Sequence, residues 1–98
     1  MPRFDLVHTK QAGTELIIIP LKKHFGYKSL DEQQQMLRMF QDRAKSAGLS
    51  GTVVPVWMSG EHLSFIAPPQ AQEFMRGIDL DWIAKNINKS LQWKVDQA

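Results

Sequence analysis

Ninety-eight residues, 43% of them apolar, make one domain with a core of its own, and the absence of cysteine excludes disulfides and thiolate metal sites. Twelve basic against ten acidic residues leave a net +2, weak for a protein that neutralises many phosphates. No run approaches the roughly 20 apolar residues of a membrane-spanning helix, and Met1 to Asp5 lack the apolar stretch of a signal peptide, so the expectation is a cytoplasmic protein.

The chain opens on a hairpin. Phe4 to Lys10 and Thr14 to Ile19 read as strands joined by Gln11-Ala12-Gly13, a three-residue connection ending in glycine. That register sets Leu6 opposite Ile18, Val7 opposite Ile17 and His8 opposite Leu16. Glu15 to Leu21 is the most apolar segment and belongs at the centre of a sheet. Lys22 to Lys28 follows as a loop that mixes positive charge with aromatic rings. The charge excess of the chain traces to Lys22, Lys23 and Lys28.

Ser29-Leu30-Asp31-Glu32 then carries the capping-box signature, a serine N-cap with glutamate three residues on. The helix it opens runs over 30–47 and buries Leu30, Leu37, Phe40, Ala44 and Ala47, with Gln33, Gln34, Arg38, Asp42 and Lys45 on the wet side. Gly48 is placed as the C′ residue, and Leu49 folds back on Ala44. Val53 to Met58 and Glu61 to Ile66 form a second hairpin turning at Ser59-Gly60, with Val56 opposite Leu63 and Trp57 opposite His62. Pro55 cannot donate to a ladder, which argues that strand 53–58 lies at an edge. Ala67-Pro68-Pro69 ends the sheet, a short helix spans Gln70 to Arg76, and Gly77 closes it. Asp79 caps a last helix with an inner stripe of Leu80, Ile83, Ile87 and Leu91, flanked by Trp82 and Trp93, before a frayed tail from Lys94 to Ala98.

These elements predict an α+β fold, order ββαββαα, with a four-stranded antiparallel sheet in the order 1-2-4-3 and helices packed on it. One face collects Leu6, Leu16, Ile18, Val54, Val56, Leu63 and Phe65. The other collects Val7, Ile17, Ile19, Val53, Trp57 and Ile66, too apolar to stay wet. The C-terminal helices are expected to cover that second face, with a dimer contact as the alternative.

The expected function is a non-enzymatic module that binds a protein partner or a second copy of itself. Strand addition at the edge strand 53–58, with Trp57, His62 and Met39 as contact residues, would be its mechanism. The alternative is RNA or single-stranded DNA binding through Lys22, Lys23, His24, Phe25, Tyr27 and Lys28, beside a helix N-terminus that attracts anions. Against it, Phe25 and Tyr27 can fold inward to plug the helix–sheet junction. A small enzyme using His24 or His62 as a base is the third reading. His8, His24 and His62 lack helical ligand spacing, so no metal is expected, and nothing in the chain requires a cofactor or a membrane. Asp79 and Asp81 are explained by capping, and Ser59-Gly60-Glu61-His62 by a turn rather than a triad.

Overall fold

Four consecutive aliphatic residues, Leu16 to Ile19, have no exposed surface, which only a strand covered on both faces provides. They belong to the middle strand of a five-stranded sheet in the computed structural model, which describes residues 3–11 and 13–92. The strands are β1 (Arg3–Gln11), β2 (Thr14–Pro20), β3 (Thr52–Ser59), β4 (His62–Phe65) and β5 (Lys89–Gln92). The helices are α1 (Leu30–Ser46), α2 (Gln72–Arg76) and α3 (Leu80–Asn86), with 3-10 turns at Lys23–Tyr27 and Pro69–Ala71. Sheet order is β4-β3-β2-β1-β5; β2 and β3 run parallel and every other neighbouring pair antiparallel.

The fold is therefore α+β with helices on the sheet, as expected, but the four-stranded antiparallel sheet of order 1-2-4-3 is wrong. A fifth strand, β5, follows the last helix and pairs with β1, the sheet is mixed because β2 and β3 run parallel, and the strand order differs. Strand β3, not β4, lies against β2. Val53 to Val56 are buried one after another, so β3 needs neighbours on both sides, whereas β4 is short and only partly covered. Pro55 does not force β3 to an edge. Its carbonyl accepts from Ile66 N–H at 3.2 Å, while Val56 O accepts from Leu21 N–H at 2.7 Å. The donor that Pro55 lacks thus falls on the β4 side, just past the end of that strand.

Both hairpins differ in register from the expectation. Val7 pairs with Ile18 and Gln11 with Thr14, a one-residue slip that moves all of β1 to the opposite face. Leu6 therefore joins Ile17, Ile19 and Val53 under α1, and Val7 joins Leu16, Ile18 and Val54. In the second hairpin Val56 pairs with Phe65, Trp57 with Ser64 and Ser59 with His62. The slip there is two residues, so the faces survive, but Trp57 no longer opposes His62. Gly60, at φ +63°, takes the first loop position, where two-residue turns need it.

Three layers result. Helix α1 covers one face, and the second 3-10 turn with α2 and α3 covers the face of Leu16, Ile18, Val54 and Val56 through Ala71, Met75 and Ile83. Coverage by the C-terminal helices was expected, although of the opposite face. The last helix is also shorter than its pattern suggested. Asp79 Oδ1 caps it by accepting from Trp82 N–H at 2.8 Å, but the chain turns extended at Ile87. Leu80 is left exposed, and Leu91 points from β5 into the α1 side of the core. Asn88 makes the switch: its Oδ1 accepts from His8 N–H at 2.8 Å, its Nδ2 donates to His8 O at 2.9 Å, and its own N–H donates to Leu6 O. Trp93 and the tail from Lys94 to Ala98 lie outside the described residues.

Helix α1 starts and stops where its signals lie. Ser29 Oγ accepts from Glu32 N–H at 3.2 Å, and Leu49 N–H returns to Ala44 O and Gly48 N–H to Lys45 O, a Schellman ending. Its core face is narrower than the pattern implied: Phe40 and Ala44 are buried, Leu37 is half-buried, and Leu30 and Ala47 are exposed. Gln33 leaves the wet side to donate to Phe25 O, because the preceding 3-10 turn ends beneath it. Gln41 donates to Gly51 O at 2.9 Å and accepts from Val53 N–H at 3.0 Å, tying the helix to the head of β3.

Candidate ligand-binding cleft

The sequence Lys22 to Lys28 lies beyond the last bond of β2 to β3, Leu21 N–H to Val56 O at 2.7 Å. It folds into a 3-10 turn, closed by Phe25 N–H to Lys22 O at 3.0 Å and Lys28 N–H to Phe25 O at 3.2 Å. Phe25 is the anchor. Its ring is 2% exposed and lies against Trp57, with centroids 5.0 Å apart and planes at 59°. Gly26 is required beside it: a Cβ there would stand 2.5 Å from Trp57 Nε1. Phe25 therefore plugs the helix–sheet junction and offers no free face for stacking, whereas Tyr27 points outward, 83% exposed.

A cleft of about 470 Å3 opens beside this turn, at the carboxyl end of β2. Lys22, His24, Phe25 and Lys28 line it from the turn, Arg3, Phe4 and Asp5 from β1, Pro20 and Leu21 from the end of β2, and Met36 from α1. The β1–β2 register explains the meeting: counted on from Val7–Ile18, Phe4 comes opposite Leu21 and Arg3 opposite Lys22. Three full positive charges and one imidazole thus surround an apolar floor. Asp5 offsets part of the charge by accepting from Arg3 Nε at 3.1 Å, and Glu32 stands 3.9 Å from Lys28 Nζ.

Of the six residues expected in the basic loop, Lys22, His24, Phe25 and Lys28 come together in the cleft; Lys23 and Tyr27 are exposed but do not line it. Arg3, Phe4, Leu21 and Met36 were missed. Their signal lay in the hairpin register rather than in any local motif.

The second group, Trp57, His62 and Met39, does not form one surface. Trp57 sits half-buried on the interior strand β3 under Phe25, and His62 is exposed on β4. Met39 lies on α1 in a hollow shared with Lys28, Glu32, Gln35 and Met36, next to the cleft. The edge-strand contact proposed for strand 53–58 has no edge to use. His8 Nε2 donates to Ser50 O at 2.8 Å and is a structural tie between β1 and the segment after α1. Among the described residues no group of three His, Asp or Glu side chains converges as for a metal, and no helix is long and apolar enough to cross a membrane. Compared with family models, curated proteins and solved structures, the chain matches none of them.

Proposed function

We propose that the chain is a non-enzymatic binding module whose ligand is anionic and docks in the cleft between the 3-10 turn, β1 and α1. One observation carries the reading: Arg3, Lys22, His24 and Lys28, from two separate segments, converge around a floor of Phe4, Leu21, Phe25 and Met36. Its volume falls within the range of small-molecule sites, which combine apolar walls with a few orienting polar groups. His24 makes no side-chain hydrogen bond among the described residues, so an imidazole base would have nothing to orient it, and binding is favoured over catalysis.

The test is a titration with anilinonaphthalene sulfonate, an aromatic monoanion. Saturable one-to-one binding that weakens with salt and is lost in Lys22→Glu/Lys28→Glu is expected. Binding indifferent to both reversals would refute the assignment.

A contact with a protein partner or a second copy is the second reading. It is favoured by Tyr27 and Leu30, three residues apart and 83% and 70% exposed, beside the cleft. Light scattering at rising concentration compares the native chain with Tyr27→Ser/Leu30→Gln. A monomer throughout removes the self-association arm.

A further inference from the structure

We infer that the cleft takes a small amphiphilic monocarboxylate, an alkyl or aryl acid, rather than a polyanion. This rests on the reading of the cleft as an anion site and adds the ligand's class to it.

The charge inventory points to a single negative group. Arg3 is engaged by Asp5 at 3.1 Å, and Lys28 is approached by Glu32 at 3.9 Å. Lys22 makes no ion pair among the described residues and is exposed. A chain of phosphates would satisfy Lys22 but bring further charges up against Asp5 and Glu32. One carboxylate avoids that repulsion.

The lining supplies the other half of the ligand. Apolar surface dominates the cleft, contributed by Phe4, Pro20, Leu21, Phe25 and Met36. An anion without an apolar body would leave that floor in water and gain nothing from it. Met36 also lines a second hollow along α1 with Met39, Lys28, Glu32 and Gln35, so apolar surface continues from the cleft past Lys28. Methionine thioethers adapt to chains of differing shape, which suits a flexible tail. A nucleic acid would need an open aromatic face to stack on; Phe25 is covered by Trp57, Tyr27 lies outside the lining, and Phe4 is half-buried against Phe40 with ring centroids 4.9 Å apart.

The experiment follows backbone NMR signals of residues 3–5 and 21–28 during titration with hexanoate, octanoate and decanoate below their micellar range. Inorganic phosphate, a twelve-residue oligothymidylate and vesicles containing anionic lipid run as parallel arms. Saturable shifts with affinity rising about two- to fourfold per methylene are expected. Lys22→Glu should weaken decanoate binding about tenfold, and Met36→Gln should flatten the dependence on chain length while leaving the spectrum folded. Cleft shifts without chain-length dependence, stronger binding of phosphate or oligothymidylate, or binding to vesicles but not to free acid would each overturn the amphiphile and leave an anion site standing. Silence of the cleft signals towards every probe would remove both.

Discussion

Asn88 holds β5 to the sheet, and two substitutions there separate that role from its alternatives. Its carboxamide makes a pair of bonds with one residue: His8 N–H to Oδ1 at 2.8 Å and Nδ2 to His8 O at 2.9 Å. The side chain stands in for a strand residue and seals the edge of β1 before Lys89 to Gln92 take over. Each bond is worth about 0.5–1.5 kcal/mol net, and the site is exposed, so Asn88→Ala should cost about 1–2 kcal/mol. Asn88→Asp has the same shape and keeps the acceptor, yet sets an oxygen against His8 O where a donor stood. It should be no more stable than the alanine variant. Urea unfolding measures both as a fall in midpoint at constant slope. Amide exchange at His8 should quicken about tenfold for each 1.4 kcal/mol lost locally. An aspartate variant as stable as the native chain, or unchanged exchange at His8 in the alanine variant, would refute the account.

Four further substitutions test the joints around α1, the head of β3 and the 3-10 turn. Gly51 has φ +127°, and a Cβ there would stand 2.8 Å from Glu15 O, so Gly51→Ala should cost about 2–4 kcal/mol; Gly48→Ala, at φ +79° with open space around it, should cost nearer 1 kcal/mol, and thermal melts distinguish the two. Gln41→Leu leaves Gly51 O and the buried Val53 N–H without their partner, a loss of about 2–3 kcal/mol; unchanged stability would mean that water replaces the amide. Gly26→Ala must push the Trp57 ring off Phe25 at a cost of about 1–2 kcal/mol, seen as a shifted indole N–H signal and weaker binding of anions in the cleft.

Features carried by local chemistry were legible in the sequence. The Ser29 cap, the Gly48 ending and the Asp79 cap rest on contacts within a few residues, and the unbroken apolar run of β2 marks a strand covered on both faces; each stands as expected. Register was not legible. Leu6 and Val7 are both apolar, so either can face either side without exposing a polar group inside, and a one-residue slip costs nothing that a pattern can record. Pro55 misled for a related reason. A proline's missing donor excludes it from a paired position, but which strand it would have faced depends on where β4 ends. The end of α3 was hidden as well, because Ile83, Ile87 and Leu91 fit a helical stripe that only the Asn88 contacts to His8 break.

The same slip explains why half of the cleft was invisible. With the expected register Arg3 faces Leu21, and no cation stands across from Lys22; shifted by one, Arg3 and Lys22 flank the same opening. What remains is rigidity. Lysines on a free loop would lose much of their attraction for an anion in ordering themselves. Here the backbone between Lys22 and Lys28 is closed by its own hydrogen bonds, held by Gln33 from α1, and pinned by a buried ring under Trp57. The aromatic residue that first suggested stacking on a base serves instead as the nail that sets two lysines apart at a fixed spacing. Binding strength should therefore track the seating of Phe25 as closely as it tracks charge.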